Sequence, residues 1–286
     1  MRKVIVAATQ MSCSWDLDKN ISKAEKLVKA SVESGANIIL LQELFETPYF
    51  CQTQKYEYLK LAKTLEESRV VNHFKQIAKN AGVVLPISFF EKCNNTAFNS
   101  VAVIDSDGSV LGIYRKTHIP DGHCYEEKFY FTPGNTGFKV WDTKFAKIGV
   151  GICWDQWFCE SARCMALQGA EILLYPSTIG SEPVLNTDSR LHWQRVIQGH
   201  AAANIMPLVV SNRIGTQKEG DLSMTFYGLS FIAGMTGEIV KQLGEKEEGY
   251  IISEFDIDEI NDFRRSWGIF RDRIPYMYKN ILSFGE

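Results

Sequence analysis

Three residues whose side chains could together catalyse acyl transfer lie at the ends of separate predicted strands: Glu43, Lys116 and Cys153. A thiol can attack a carbonyl carbon, and a neighbouring carboxylate can take its proton and later return it to a leaving amine. A lysine can stabilise the oxyanion of the tetrahedral intermediate, with the backbone N–H of Trp154 as a second donor. If the fold brings these groups together, the sequence predicts a nucleophilic active site.

The sequence around Cys153 favours a nucleophile. Residues 146–152 alternate apolar side chains with glycines, which predicts a strand that is buried on both faces and closely approached by other groups. A helical pattern follows and ends at Gly169. A thiol between a strand end and a helix N-terminus is expected to have a lowered pKa. The alternative is a small buried residue without chemistry, which is the commoner state of cysteine.

Composition places the chain among ordinary globular proteins. Of its 286 residues, 45% are hydrophobic and 23% are charged, which allows one large domain or two ordinary ones. The net charge of −3 argues against a nucleic-acid surface, and no apolar run is long enough to span a membrane. Seven cysteines without a C-x-x-C pair indicate reduced thiols in a cytoplasmic protein. Because the histidines lack metal-ligand spacing, we expect no metal.

The elements that would position these residues alternate between strands and helices. The first helix is predicted to be capped by Asp16 or Asp18 and closed by Gly35. A loop of about twenty residues after Lys116 interrupts the pattern, and loops of that length usually carry function. The predicted strands cover 3–9, 37–41, 83–89, 97–104, 109–115, 138–142, 146–152, 171–175, 207–212, 227–233, 238–242 and 250–255, with further helices at 65–81, up to 168, at 188–204 and from 256.

Two parts of the chain resemble each other in sequence. Residues 35–43 (GANIILLQE) correspond to residues 169–177 (GAEILLYPS), and the predicted hairpin at 103–111 corresponds to one at 231–240. A repeat of this length predicts two similar α/β halves, each a sheet with helices on one face. If the two sheets face each other, the fold is a four-layer α-β-β-α sandwich.

Three motifs make the sequence similar to the nitrilase superfamily of carbon–nitrogen hydrolases over nearly its whole length. They are LLQELF around Glu43, YRKTHIP around Lys116 and GICWD around Cys153. The resemblance implies the α-β-β-α fold, a Glu-Lys-Cys catalytic triad and no cofactor. It also implies a second glutamate that positions the lysine or the substrate. This residue maps to Glu127 in the stretch EKFYF, with Glu126 as the adjacent alternative.

Within the superfamily, the sequence most resembles the branch that hydrolyses N-carbamoylated diamines, so the implied partner is a small ureido substrate. Relatives that hold a substrate carboxylate usually place arginines soon after the nucleophile, but here no cation follows Cys153 before Arg163. Aromatic faces and an acid would suit an ammonium tail. We expect Glu182 to pair with that ammonium. Asp155 is the alternative, unless it bonds a helix N-terminus or an arginine.

Several further residues could line the site. Tyr49, Tyr125 and Trp154 are candidate walls of the substrate pocket, although aromatic side chains more often pack in a core. His118 and His123 lie in the long loop, and the sequence leaves their roles open. Other functions also stay open: a related hydrolase such as a β-ureidopropionase, an aliphatic amidase or a nitrilase; an amidase that supplies ammonia to a synthetase; and a non-catalytic binding protein with this fold.

The C-terminal part of the chain is expected to lie outside the catalytic sandwich. We expect a carbon–nitrogen hydrolase domain over residues 1–256 and a C-terminal extension over residues 257–286. Between Phe263 and Phe284 the extension is rich in arginine and aromatic residues. Members of the superfamily assemble through their C-terminal segments, so the resemblance implies a homo-oligomer in which the extension packs on a partner subunit.

Overall fold

The computed structural model describes residues 1–181 and 187–285, and within them strands and helices alternate as predicted. The strands are β1 Lys3–Gln10, β2 Ile38–Leu40, β3 Leu85–Cys93, β4 Thr96–Ile104, β5 Val110–Arg115, β6 Val140–Asp142, β7 Lys147–Val150, β8 Ile172–Pro176, β9 Leu208–Ser211, β10 Thr216–Glu219, β11 Leu222–Thr225, β12 Phe231–Ala233, β13 Ile239–Gln242 and β14 Gly249–Asp256. The α-helices are α1 Leu17–Glu33, α2 Arg69–Ala81, α3 Glu127–Tyr130, α4 Cys159–Leu167, α5 Arg190–Asn204 and α6 Ile257–Trp267. Short 3₁₀ turns lie at Phe50–Gln52, Tyr56–Leu61, Cys153–Trp157 and Pro275–Leu282.

Apart from β10 and β11, which form a separate hairpin, the strands form two sheets with the same pairing pattern. In the first sheet the order is β14-β1-β2 followed by β3-β4-β5, and a parallel bridge between Ile38 and Val84 joins the two groups. In the second sheet the order is β6-β7-β8-β9-β12-β13. Each sheet has two parallel pairings, with one antiparallel pairing on one side and two on the other. The internal repeat predicted from the sequence is therefore a repeat of topology.

The repeat extends to details of the strands. The matched sequences at 35–43 and 169–177 contain β2 and β8, each of which pairs in parallel in the middle of its sheet. The matched hairpins are β4–β5 and β12–β13, and the register shifts in both, at Val103/Ile104 and at Ile232/Ala233. The two halves thus share even the position of a local irregularity.

Three hydrophobic clusters separate four layers. The central cluster joins inward-facing residues of the two sheets, such as Val4, Val6, Ile148 and Val150. A second cluster packs α1 and α2 on the outer face of the first sheet, and a third packs α4 and α5 on the outer face of the second sheet. Burying each large aliphatic side chain contributes about 1.5–3 kcal/mol. The α-β-β-α sandwich predicted from the sequence is confirmed.

Local signals set most element boundaries, and two elements differ from the prediction. Asp16 caps α1 by accepting from the backbone N–H of Lys19, and Gly82 ends α2 in the left-handed conformation. Helix α2 begins at Arg69 rather than near residue 65, because Ser68 caps it. The hairpin β10–β11 was not predicted, because its strands are largely polar and lack a clear apolar alternation.

The C-terminal residues first return to the sandwich and then leave it. Strand β14 pairs antiparallel with the full length of β1, from Lys3 opposite Asp256 to Gln10 opposite Gly249. Helix α6 follows, with Ile257 buried in the central cluster. From the last residue of α6 onward, large apolar side chains are exposed in this single chain: Trp267, Ile274, Tyr276, Met277, Tyr278, Ile281, Leu282 and Phe284. None of the helices in the described ranges has the length and apolarity to cross a membrane.

Candidate active site

A buried cluster of two glutamates and one lysine lies at the seam between the sheets. The Lys116 ammonium nitrogen donates to Glu43 Oε1 at 2.9 Å and to Glu127 Oε2 at 2.7 Å. All three side chains are at most 1% exposed. Glu43 follows β2, Lys116 follows β5, and Glu127 begins α3 within the long loop. The structure therefore brings together three of the four residues that the sequence analysis placed in the catalytic centre.

The fourth residue, Cys153, lies beside this cluster on unusual backbone. It is 5% exposed and close enough to Glu43, Lys116 and Glu127 for their charges to shift its pKa. Its φ of +42° is in the left-handed region, which a residue with a side chain seldom occupies, and such strain is concentrated at functional sites. The free thiol therefore sits on a sharp turn at the end of β7.

The two glycines before Cys153 have the close contacts that the sequence predicted. A Cβ atom at Gly149 would lie 2.8 Å from Met165 Sδ, and one at Gly151 would lie 2.8 Å from Tyr175 Cε1. Neither neighbour is in a position to leave the packed core at low cost. The strand can therefore carry Cys153 into the seam only if both positions lack side chains.

The expectation of a lowered thiol pKa is wrong. Burial raises the pKa of Cys153 well above its ordinary value, and the charge of Glu43 raises it further, while Lys116 opposes them. Cys153 begins a five-residue 3₁₀ turn, and helix α4 begins only at Cys159, so the thiol does not face an α-helix N-terminus. A thiol whose pKa is raised in this way needs a base to become a nucleophile.

The two glutamates have different surroundings. Glu43 Oε1 accepts from Lys116 and, at 2.6 Å, from Asn99 Nδ2, whereas among the described residues Glu43 Oε2 is buried without a hydrogen-bond partner. Glu127 has both oxygens engaged, because Tyr49 donates to its Oε1 at 2.8 Å. Of the two glutamates, Glu43 therefore has the oxygen that can accept a proton without first losing a hydrogen-bond donor.

Burial and charge also act differently on the groups of the cluster. Burial raises the pKa of Glu127 to about 7, although the charge of Lys116 opposes it. Burial alone would lower the pKa of Lys116, but Glu127 and Glu43 outweigh it and raise that pKa well above its usual value. The lysine is therefore a permanent cation in the site.

Comparison with known proteins agrees with this arrangement. Residues 5–265 match the model of the carbon–nitrogen hydrolase family. The chain belongs to the carbon–nitrogen hydrolase family. An N-carbamoylputrescine amidase of Solanum tuberosum is 56% identical, with 99% of this chain and 96% of that enzyme covered. A citrullinase of Francisella tularensis is 50% identical, with 99% of each covered.

A solved structure supports the same conclusion at the level of the fold. The crystal structure of a carbon–nitrogen hydrolase from Helicobacter pylori G27 superimposes with a TM-score of 0.93 at 35% identity, covering 99% of this chain and 100% of that one. The family, the nitrilase-like fold and the activity class expected from the sequence are thus confirmed: the protein is a hydrolase of carbon–nitrogen bonds.

An unpredicted residue of the hydrolase, Arg213, holds the backbone of Glu43. Its guanidinium is 1% exposed and donates to the carbonyl oxygens of Glu43, Leu44 and Thr47 at 3.2, 2.9 and 2.9 Å. No carboxylate in the described ranges forms an ion pair with it. Thr178 Oγ1 donates to the same Glu43 carbonyl at 3.0 Å. Arg213 lies in the stretch SNRIG at residues 211–215, and nothing in that stretch indicated this contact.

Asp155 of the hydrolase forms its hydrogen bonds within the protein. It is fully buried, and it accepts from the backbone N–H groups of Ile152 and His118, from the Tyr114 hydroxyl and from the His118 ring. Since its oxygens are occupied, its assignment as the alternative partner for a substrate ammonium is wrong. The sequence analysis foresaw a bond to a helix N-terminus or to an arginine, whereas the carboxylate caps the 3₁₀ turn that begins at Cys153.

The remaining candidates of the hydrolase are distributed around the cluster. Tyr49 has no exposed surface and bonds Glu127, and its ring lies 5.9 Å from that of Tyr125. The Tyr125 hydroxyl bonds the backbone of Gly180, through N–H at 3.1 Å and through the carbonyl at 3.2 Å. Trp154 is 37% exposed. Tyr125 and Trp154 are therefore the two aromatic candidates with surface that a ligand can reach.

The other residues that the sequence analysis singled out lie at different distances from the cluster or outside the described residues. Glu126 bonds Gln54 rather than the lysine, so Glu127 is the glutamate of the cluster. Glu182 lies outside the described residues. His123 is exposed, and the described ranges contain no group of three or more His, Cys, Asp or Glu side chains suited to a metal ion.

Proposed function

We propose that this hydrolase is an N-carbamoylputrescine amidase, which converts its substrate and water into putrescine, carbon dioxide and ammonia. The observation that carries the proposal is the 56% identity, over the full chain, to an enzyme of that name. The buried acid, lysine and thiol supply the groups that hydrolysis of a ureido C–N bond requires.

The proposed first half-reaction forms a thiocarbamate. Glu43 Oε2 takes the thiol proton as the Cys153 sulfur attacks the ureido carbon, because this oxygen has no competing donor among the described residues. The oxyanion is stabilised by the Lys116 ammonium and the backbone N–H of Trp154. Glu43 then returns the proton to the terminal nitrogen, the C–N bond breaks, and ammonia leaves.

The proposed second half-reaction releases the diamine. Glu43 takes a proton from water, and the oxygen of that water attacks the thiocarbamate carbon. The C–S bond breaks, and the thiol regains its proton. The carbamate that leaves decomposes to carbon dioxide and putrescine. Glu127 keeps Lys116 oriented through both steps, since its other oxygen is fixed by Tyr49.

For the substrate tail, we propose Glu182 as the partner of the ammonium group, with Trp154 and Tyr125 lining the path to the thiol and Tyr49 supporting the site. The acid follows directly on Gly180 and Ser181, and the Tyr125 hydroxyl anchors Gly180 beside the cluster. A cation beside aromatic rings and an acid is favourable in a partly enclosed site.

Citrulline is the second candidate substrate, because the citrullinase of Francisella tularensis is 50% identical over the chain. Citrulline carries the same ureido group but adds a carboxylate. The test is kcat/KM for ammonia release from N-carbamoylputrescine, citrulline, N-carbamoyl-β-alanine and n-butylurea. We expect N-carbamoylputrescine to be preferred, and a preference for citrulline would replace the proposal with the second candidate.

A pair of variants separates chemistry from tail binding. Cys153→Ala should abolish ammonia release without unfolding the protein, because alanine fits the space but has no nucleophile. Glu182→Gln should raise KM for N-carbamoylputrescine and leave n-butylurea, which lacks the ammonium, unaffected. Appreciable turnover by Cys153→Ala would contradict the mechanism, whereas an equal effect of Glu182→Gln on both substrates would contradict only the tail assignment.

We also propose a cytoplasmic homo-oligomer, with a hydrolase domain at residues 1–256 and an extension at 257–286. Helix α6 of this extension packs on its own sandwich, and the part after α6 would pack on a partner subunit. The exposed apolar side chains between Trp267 and Phe284 support this, because a patch of that kind normally marks an interaction surface. A reducing compartment suits an enzyme whose nucleophile is a thiol. Light scattering of the full chain, alongside a variant with Tyr276 and Met277 changed to serine, tests the assembly.

A further inference from the structure

Asp155 connects the two segments that carry Cys153 and Lys116. Its Oδ2 accepts from the backbone N–H of Ile152 at 3.0 Å, and its own backbone N–H donates to the Ile152 carbonyl at 3.0 Å. These two bonds close the turn that starts at Cys153 from the residue immediately before it. The carboxylate therefore helps to hold the nucleophile on its left-handed backbone.

The same carboxylate holds the chain on both sides of the lysine. Tyr114, two residues before Lys116, donates its hydroxyl to Oδ2 at 2.7 Å. His118, two residues after it, donates to Oδ1 from its backbone N–H at 3.0 Å and bonds the same oxygen through ring Nδ1 at 2.8 Å. These three hydrogen bonds, made by the residues two positions before and two positions after Lys116, fix the backbone from which its side chain extends.

The His118 ring is itself fixed by packing. It stacks on Phe158 with 3.6 Å between the ring centroids and 6° between the planes. Phe158 directly follows the 3₁₀ turn of Cys153. His118 therefore contacts the nucleophile segment twice, once through Asp155 and once through Phe158.

We propose that Asp155, together with Tyr114 and His118, is a positioning unit that sets the separation of the Lys116 ammonium and the Cys153 thiol. The proposal rests on the roles given to Cys153 and Lys116 in the proposed function. None of the three residues reacts with substrate. Their action is to keep the cation where it stabilises a thiolate and an oxyanion, and a displacement of about 1 Å in such a site costs about 100-fold in rate.

The main test is Asp155→Asn, which places an amide where one carboxylate oxygen accepts. We expect kcat to fall about 100-fold with KM nearly unchanged, since the substrate-binding surface stays in place. A second readout needs no substrate: alkylation of Cys153 by iodoacetamide as a function of pH, followed by mass spectrometry of the Cys153 peptide. Because the charge of Lys116 lowers the pKa of Cys153, a displaced lysine should move the alkylation midpoint to higher pH.

Matched single variants keep the proposal falsifiable if Asp155→Asn fails to fold. Tyr114→Phe should slow turnover and move the alkylation midpoint upward. Tyr175→Phe is its control, because Tyr175 is an equally buried tyrosine whose hydroxyl bonds His200 Nδ1 at 3.0 Å. His118→Asn keeps a donor near the position of Nδ1 and should retain activity, whereas His118→Phe keeps the stacking but loses the donor and should lose about tenfold.

The outcomes separate the two proposals. Equal effects of Tyr114→Phe and Tyr175→Phe on turnover and alkylation, or an alkylation profile unchanged in Asp155→Asn, would overturn the positioning unit and leave the proposed function standing. A wild-type chain that does not hydrolyse N-carbamoylputrescine, but whose Cys153 alkylation responds to these variants as expected, would overturn the proposed function and support the positioning unit.

Discussion

Glu43 and Glu127 both accept a hydrogen bond from Lys116, but their carboxylates differ in the other hydrogen bonds that they form. On the Glu127 side, both oxygens are engaged, by Tyr49 and by the lysine. On the Glu43 side, Asn99 and Lys116 share one oxygen, and the other has no partner among the described residues. A group whose acceptor sites are filled can hold a neighbour in place, whereas one with an unfilled site can also receive a proton. The comparison supports the proposed roles, in which Glu127 orients the lysine and Glu43 transfers protons.

The backbones of the two glutamates are also held differently. Glu43 lies just before Leu44, which has a left-handed φ of +46°, and Arg213 and Thr178 bind its carbonyl oxygen. Glu127 starts a four-residue helix in the long loop, and Tyr49, its partner, is in turn held by Gln217 of β10. The Glu43 side is thus anchored in the sandwich, while the Glu127 side is assembled from loops and a hairpin.

The largest difference between the two sides should appear in the rate. Glu43→Gln replaces the carboxylate with an amide that cannot take the thiol proton. We therefore expect kcat to fall about 10³- to 10⁴-fold. Glu127→Gln keeps a group that can accept from Lys116 and should cost about 100-fold. Ammonia release by both variants, with circular dichroism as the check on folding, makes the measurement. Equal losses would show that the hydrogen-bond count does not distinguish the two roles.

The anchoring of the Glu43 side should appear in stability. Arg213→Met removes three hydrogen bonds to buried carbonyl oxygens, although the Glu43 and Leu44 oxygens keep a donor in Thr178 Oγ1 and the Thr47 N–H. The cost should be about 3–5 kcal/mol in the free energy of unfolding. Arg213→Lys, the matched variant, keeps the charge but can reach fewer of these oxygens. Its free energy of unfolding should lie between those of the wild type and Arg213→Met. Urea unfolding gives both free energies. An Arg213→Met protein as stable as the wild type would mean that the segment from Glu43 to Thr47 keeps its conformation without the arginine.

The Glu127 side should make stability depend on pH. Its folded pKa of about 7 lies above the ordinary value of 4.5. Proton binding by Glu127 therefore stabilises the folded state fully below pH 4.5. This contribution to the free energy of unfolding, up to about 3 kcal/mol, is lost as the pH rises through about 7. Urea unfolding of the wild type from pH 4.5 to 8 should show this decline. Glu127→Gln cannot titrate and should show a flatter profile, and a parallel decline in that variant would place the proton elsewhere.

The smallest effects come from the neutral donors on the two sides. Tyr49→Phe removes the bond to Glu127 and should cost about 1 kcal/mol of stability with kcat within about twofold. Asn99→Ala removes the bond to Glu43 and should lower kcat about tenfold, because this donor helps to direct the second oxygen. Steady-state kinetics and urea unfolding of the pair test this. A larger kinetic effect for Tyr49→Phe than for Asn99→Ala would reverse the comparison.

Much of the fold was predictable because its strands and helices follow from hydrophobic patterns within short stretches of sequence. The alternation that buries Val4 and Val6 between the sheets and the sequence match between β2 and β8 each require only a short window. The same holds for the motifs of Glu43, Lys116 and Cys153, since each follows a strand. Polar strands such as β10 carry no such pattern, so the hairpin that supports Tyr49 was missed.

The contacts that decide behaviour within the site were less accessible. Arg213 meets the Glu43 carbonyl across 170 positions in the chain, and Asp155 meets Tyr114 across 41, so neither spacing has a local signature. The pKa of Cys153 was predicted in the wrong direction because a 3₁₀ turn cannot be told from the start of an α-helix by its apolar pattern, and because burial depends on the whole fold.

The pairing of β14 with β1 has a consequence for biosynthesis. Strand β1 leaves the ribosome first, but the strand that covers its free edge is translated some 250 residues later, since Lys3 lies opposite Asp256. At a typical elongation rate of about 5–20 residues per second, the nascent chain waits about 12–50 seconds with that edge unpaired. An uncovered edge is a template for aggregation. Newly made chains should therefore depend on chaperones until the last strand emerges, however stable the finished enzyme is.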